Sequence, residues 1–360
     1  KDCRCLTQGS KLPPIDPSDI IDSSKIRRTG ESIAELQHPS GMIPWFPNGH
    51  ADPWNHIEAA MALDVSGLHD EAVSAYQWLA DIQLENGSWH NYYLENTIEQ
   101  DKIDTNCVAY IATGVLHHYL ISKDTGFLET MWRVVEPAIE FVLGLQTPRG
   151  EVIWACHSDG TPWSYALVTG SSSISHSLRA AIAITEHLGM ERPQWTEKGR
   201  RLVHVLRNNP DAFAPKKRWA MDWYYPVLTG VLQNSEGRNR LEAQREQFEM
   251  PNKGIRCVSD RPWITTAETC ECAIAYLALG ERNHSIELFT KIQDYRDDNG
   301  RYLTGVVYPE KVSFPETEYS TYSAAAVSLT ADAILEATSA GRIFSDHTFL
   351  PSLSDEQIEN

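Results

Sequence analysis

The sequence predicts an all-α fold, an (α/α)6 toroid of six helical hairpins, and three observations carry that expectation. Six small-residue, apolar segments open with a polar or acidic residue, with starts near positions 52, 104, 171, 222, 266 and 318, about one every 50 residues. Between them lie amphipathic segments with one apolar stripe and a charged remainder. Clear strand alternation is rare. A period of about 50 residues fits one helical hairpin plus a loop. Helices apolar all round belong inside and striped helices outside, and hairpin repeats bury their faces only when stacked. Closing the stack into a ring removes its exposed ends.

The elements follow in order. A first outer helix is expected within 18–37. The first inner helix opens at Asp52-Pro53-Trp54-Asn55, an acidic cap followed by proline at the first helical position. The second opens at Asp104-Thr105-Asn106 and the third within 169–173. The fourth begins at Asp222-Trp223-Tyr224-Tyr225, the fifth at Thr265-Thr266-Ala267-Glu268, and the sixth near Glu318. Outer partners are read over 69–83, 125–146, 196–208, 236–248 and 282–293. The expected organisation is an N-terminal extension with the first outer helix over 1–40, a toroidal catalytic domain over 41–340 and a tail over 341–360.

Composition narrows the function. Across 360 residues, 31 Lys and Arg face 49 Asp and Glu, a net charge of −18. Such a surface repels phosphate backbones and anionic lipids, so nucleic-acid and membrane partners are not expected. No run of 18 apolar residues occurs, so no membrane span is expected. Five of the seven cysteines sit in or beside apolar segments, as buried thiols do. Cys3 and Cys5 are close enough to suggest a metal clip but have no matching second pair, and neither metal nor cofactor is expected. Without a charged-then-apolar leader, the cytoplasm is the default location. The aromatics are biased towards polar tips, with 11 Trp and 14 Tyr against 9 Phe.

Gln83-Leu84-Glu85-Asn86-Gly87-Ser88-Trp89 fits a Gln-x3-Gly-x-Trp motif, with degenerate copies over 146–154 and 293–302. In this form the chain resembles the terpenoid cyclase and protein prenyltransferase α/α-toroid superfamily, and the bacterial proteins called prenyltransferase-like. Six-hairpin glycosidases are the alternative relatives. The terpenoid resemblance implies a protonating Asp-x-Asp-Asp-Thr or an Asp-Asp-x-x-Asp diphosphate motif. Asp101-Lys102-Ile103-Asp104-Thr105 falls in the first register with Ile103 at the donor position, and the second motif is missing.

In a closed ring the inner helices run parallel, so their N-termini share one mouth, where dipoles and orphan N–H groups converge. Asp104, Glu268, Asp52 and Asp222 open four of these helices and are the catalytic candidates. Opposed carboxylates suit general acid–base chemistry, one protonating a leaving oxygen while another activates water. Trp45, Trp54, Tyr92, Trp163, Trp223, Tyr224 and Trp263 lie in the preceding loops or first turns and suit the C–H face of a sugar. His50, His56, Asp260, Arg261, Glu271 and Glu318 complete the expected binding set. The bland reading is that the acids are helix caps, with Thr265 and Glu268 forming a capping box. The sequence therefore predicts an enzyme acting on a glycoside or other polyhydroxylated small molecule by hydrolysis, elimination or epimerisation. An isoprenoid enzyme is second, and a non-catalytic toroid that binds a glycan or a protein is third.

Overall fold

A computed structural model of the protein describes residues 16–95 and 97–354. Cys3 and Cys5 lie outside the described residues. In chain order the helices are α1 (Pro17–Ile20), α2 (Ser23–Ala34), α3 (Pro53–Val65), α4 (His69–Ile82), α5 (Thr105–Ala109), α6 (Ile111–Ser122), α7 (Thr125–Gly144), α8 (Val168–His187), α9 (Pro193–Asn208), α10 (Ala220–Leu228), α11 (Asn234–Phe248), α12 (Thr266–Ala278), α13 (Arg282–Ile292) and α14 (Thr321–Leu335). Helix α3, the α5–α6 pair, α8, α10, α12 and α14 form the inner ring. Each packs on the next, and α14 closes onto α3. The outer ring is α2, α4, α7, α9, α11 and α13. The (α/α)6 toroid read from the sequence is the observed fold.

The division follows side-chain size. Nearly all of α8 is buried, from Gly170 to Thr185, in a run of Ser, Ala, Ile and Thr that lets neighbouring backbones approach. The outer helices bury one stripe each; α9 buries only Trp195, Gly199, Leu202, Val203 and Val205. Among the described residues nine short strands occur, chiefly in the loops that precede inner helices. Among them are the hairpin β1 (Tyr92–Leu94) and β2 (Thr97–Gln100), and the three-stranded flap β7 (Trp263–Thr265), β8 (Gly305–Val307) and β9 (Val312–Ser313). The sixth inner helix starts at Thr321, slightly later than expected.

The Gln-x3-Gly-x-Trp residues are staples between hairpins. The Gln83 amide donates to Gly87 O at 2.9 Å and to Val134 O of the next outer helix at 2.9 Å. The Trp89 indole donates to Leu79 O at 2.8 Å from a buried position. Gln146 repeats the arrangement with Gly150 O and Lys198 O. Gln37, whose copy of the motif has Ile43 in place of the Trp, does the same with Gly41 O and Glu71 O. Glycine is required at position 87, where φ is +87° and a Cβ would stand 2.3 Å from Pro137 O.

The segment after α14 closes the other end of the ring. Arg179 of α8, 6% exposed, donates to the carbonyls of His347, Leu350 and Pro351. Burial lowers its guanidinium to about 10, so it stays charged at neutral pH. Phe344 stacks on His176 at 4.8 Å and forms the cavity floor. Replacing Arg179 with Ala strands these buried carbonyls at a cost on the order of 4 kcal/mol. We expect a lower melting midpoint and faster proteolysis after residue 335. An unchanged midpoint would show that the segment holds without this anchor.

Candidate active site

A central cavity lies between the inner helices, with about 460 Å³ of space between atoms when the solvent at its opening is included. Its walls run from Trp54 in the first turn of α3 to Leu228, Ile274, Leu329 and Thr330 in the later turns of the inner helices. Trp54 stacks on Tyr110 with centroids 3.8 Å apart, and Tyr225 stands 6.3 Å from the same indole. Glu58 and Glu271 line the cavity beneath them. The Tyr110 hydroxyl donates to Glu58. The Tyr224 hydroxyl donates to one oxygen of Glu271 and the Tyr225 hydroxyl to the other at 2.7 Å. Burial pushes Glu58 up to about 7 against the Tyr110 bond. Burial, with the charge of Glu268 added, pushes Glu271 up to about 8. Both are therefore poised to hold a proton near neutral pH.

At the mouth, two acids expected as catalysts are seated as caps. Asp52 caps α3 by accepting from Asn55 N, while its other oxygen accepts from the Trp45 indole at 2.6 Å and the Asn55 amide at 2.7 Å. Asp104 repeats this on α5, accepting from the N–H groups of Asn106 and Cys107 and from the Trp154 indole at 2.6 Å. Burial pushes both carboxyls upwards, and the donated hydrogen bonds oppose that shift. A carboxylate with both oxygens engaged is a framework element first.

Glu268 differs. The Thr265 side chain makes no capping bond and Glu268 does not reach back to it, so the capping box read from the sequence does not form. Glu268 is half-buried in the first turn of α12, and its one hydrogen-bond partner is the Cys257 thiol at 3.3 Å. Asp222 and Glu318 also have one side-chain partner each, Thr169 at 3.4 Å and Thr304 at 2.7 Å. Asp222 lies inside the first turn of α10, whose cap position is Trp219. It borders a separate cleft with Arg240 and Lys217 as well as the rim.

The expected aromatics divide. Trp45 packs edge-on against His50, Tyr92 and Tyr322, and His50 stacks on Tyr92 at 4.2 Å, making an aromatic collar at the mouth. Trp163 joins Trp154, with centroids 5.0 Å apart, and the Lys102 ammonium lies 4.4 Å over Trp154. Trp223 faces away from the cavity: its buried indole donates to Arg240 O and Leu241 O and its ring stacks on Phe248. Tyr224 is fully buried and serves Glu271. His56 is a core residue. It accepts from Ile43 N and bonds Ala75 O, and burial holds it down to about 4, hence neutral. Asp260 pairs with exposed Arg218, and Arg261 and Trp263 lie near that arginine rather than in the lining of the central cavity.

Glu58, Tyr110 and Tyr322 were not among the sequence candidates, whereas the Trp223-Tyr224-Tyr225 string is a candidate cavity lining in the sequence and Tyr225 lies there. A signal existed for one of them: Glu58 follows Trp54 by four residues, which places both on the same helix face. Among the described residues no cluster of three or more His, Cys, Asp or Glu is arranged to hold a metal. No helix of the described residues is long and apolar enough to cross a membrane.

No family model matches the chain. It is 43% identical over 325 residues, 90% of each chain, to the MMP endo-(1,4)-3-O-methyl-alpha-D-mannosidase of Mycolicibacterium hassiacum. Among solved structures it resembles a glycosidase in complex with glucose, with a TM-score of 0.71, 12% identity and coverage of 90% of this chain and 100% of that one. It also resembles a D-mannose isomerase, with a TM-score of 0.68, 11% identity and coverage of 89% and 99%. The cellobiose 2-epimerase of Bacillus thermoamylovorans gives a TM-score of 0.64 at 9% identity, covering 86% of this chain and 98% of that one. These relatives support the glycosidase-like alternative and do not show the prenyltransferase-like resemblance drawn from the Gln-x3-Gly-x-Trp motif, which the fold uses as a staple. The chain is a carbohydrate-active α/α-toroid enzyme and belongs to the family of the M. hassiacum MMP endo-(1,4)-3-O-methyl-alpha-D-mannosidase.

Proposed function

We propose that this protein hydrolyses internal α-1,4 bonds of a 3-O-methylated mannose chain, with Glu58 as general acid and Glu268 as general base. The observation that carries the chemistry is the contrast between them: Glu58 is buried in the cavity wall and raised to about 7, while Glu268 is half-buried with one thiol partner. The substrate class comes from the name of the relative.

The two acids belong to α3 and α12, which stand two places apart in the ring. With neighbouring axes about 8–10 Å apart, these axes are separated by about 14–17 Å. Side chains reaching inward leave roughly 6–9 Å, room for a water as in an inverting hydrolase. Glu58 gives its proton to the glycosidic oxygen as the C1–O bond breaks. Glu268 takes a proton from the water whose oxygen bonds to C1. The products are two shorter chains, one with a new reducing end and one with a new hydroxyl. Trp54 and the Trp45–Tyr92–Tyr322 collar offer aromatic faces to the sugar C–H surface. Neutral Glu271, held by two tyrosines, donates to a sugar hydroxyl on the floor. Asp52 and Asp104 hold Trp45 and Trp154 in place.

The test is incubation with a 3-O-methylmannose oligosaccharide and with its unmethylated counterpart, with product sizes read by mass spectrometry. Internal fragments from the methylated chain are expected. Absence of cleavage, or release of single terminal sugars alone, would overturn the reading.

A further inference from the structure

Seven large hydrophobic residues are exposed among the described residues, and five of them, Leu94, Ile98, Trp219, Val312 and Phe314, lie in loops around the mouth. They fall in two groups. Leu94 and Ile98 are on the β1–β2 hairpin, which rises before α5, and Tyr92 of the same hairpin stacks on His50 in the mouth collar. Trp219 is at the start of α10. Phe314 follows β9 and meets Trp263 edge-on at 5.3 Å; the Trp263 indole donates to Phe314 O. With Val258, Arg218 and Arg261 these aromatics form a shelf.

The shelf is continuous with the reaction centre. Ala220 N donates to Cys257 O, and Cys257 N donates to Trp263 O, so the residue that joins the shelf's two tryptophan-bearing elements is the one whose thiol donates to Glu268. The two apolar groups also stand opposite one another. The β1–β2 hairpin precedes the second inner position, and the shelf is drawn from the loops preceding the fourth, fifth and sixth, centred on the fifth. In a six-membered ring these are facing sides. Trp219 at 42% and Phe314 at 52% exposure are more open than packing alone explains.

We propose that the two platforms bind the stretches of one methylated glycan chain on either side of the scissile bond, so that the chain crosses the mouth from the β1–β2 hairpin to the Trp219–Phe314 shelf. This rests on the hydrolase reading above and adds how far the bound chain extends. O-methyl groups and sugar C–H faces are apolar patches on a neutral chain. Flat aromatic and aliphatic surfaces recognise them with little orientation demand. A chain held on both sides is cut internally, because a terminal sugar in the cavity leaves one platform empty.

The test compares kcat and KM of the wild type with the Trp219→Ala/Phe314→Ala double variant on short and long 3-O-methylmannose oligosaccharides. For the long chain, KM is expected to rise about tenfold with kcat kept. Kinetics on a chain short enough to fill only the cavity should not change. Trp219→Phe, which keeps a ring, should recover most of the long-chain affinity and controls for folding. Equal effects on both lengths, or none on either, would overturn the proposal while leaving the hydrolase reading standing. A wild type that cleaves neither chain overturns both. A double variant with unaltered long-chain kinetics and a smaller mass by light scattering would make the shelf a subunit interface, which also overturns it.

Discussion

Glu268→Gln is expected to lower turnover of the methylated oligosaccharide roughly 10³-fold, the usual scale for removing a general base, with little change in melting midpoint. Stability should hold because Glu268 caps nothing and its one partner is a thiol at 3.3 Å, which an amide oxygen also accepts. Removing its charge should also lower the Glu271 carboxyl, which that charge helps raise. Asp104→Asn is the comparison. Asn caps helices as well as Asp, but its amide nitrogen takes the place of the oxygen that accepts from the Trp154 indole. Turnover there should fall less than about tenfold, with a modest stability loss on the order of 1 kcal/mol. Steady-state kinetics and thermal melts on both variants decide the matter. A thousandfold loss in Asp104→Asn with full activity in Glu268→Gln would reverse the assignment and restore the expectation that Asp104 does the chemistry.

Glu58→Gln is expected to lower turnover roughly 10²–10⁴-fold on natural glycosides and to remove a pH dependence. The sign follows from burial, which raises Glu58 to about 7. A general acid works while protonated, so wild-type activity should fall as pH rises through about 7. The variant has no proton to lose there, and its residual activity should be flat across that range. An aryl glycoside with a leaving group that needs no protonation separates the roles. Glu58→Gln should keep most of its activity on it, and Glu268→Gln should not. Equal losses on natural and activated substrates would remove Glu58 as the acid.

The ring itself was legible because it depends on composition: alanine- and serine-rich helices alternating with striped ones leave few other ways to bury their faces. The mouth was legible for a related reason, since polar starts mark inner-helix N-termini. Which acid does chemistry was not legible. Asp52, Asp104 and Glu268 all look like caps in sequence, and what separates them is distant. Trp45 and Trp154 engage the two aspartates, whereas a thiol 11 residues upstream engages Glu268. Glu58 was missed because it sits one turn inside a helix, where its phase with Trp54 was the one signal. Trp223 was misplaced for the opposite reason. It adjoins a helix start, yet its position on the helix turns it towards Phe248 and α11.

The most direct measurement is a crystal structure of the Glu268→Gln protein soaked with a 3-O-methylmannose oligosaccharide. The expected result is a sugar chain across the mouth, with one glycosidic oxygen within hydrogen-bond reach of Glu58 and its anomeric carbon facing position 268 across a water. A chain seated instead in the cleft beside Asp222 and Arg240, with the central cavity free of sugar, would contradict the account.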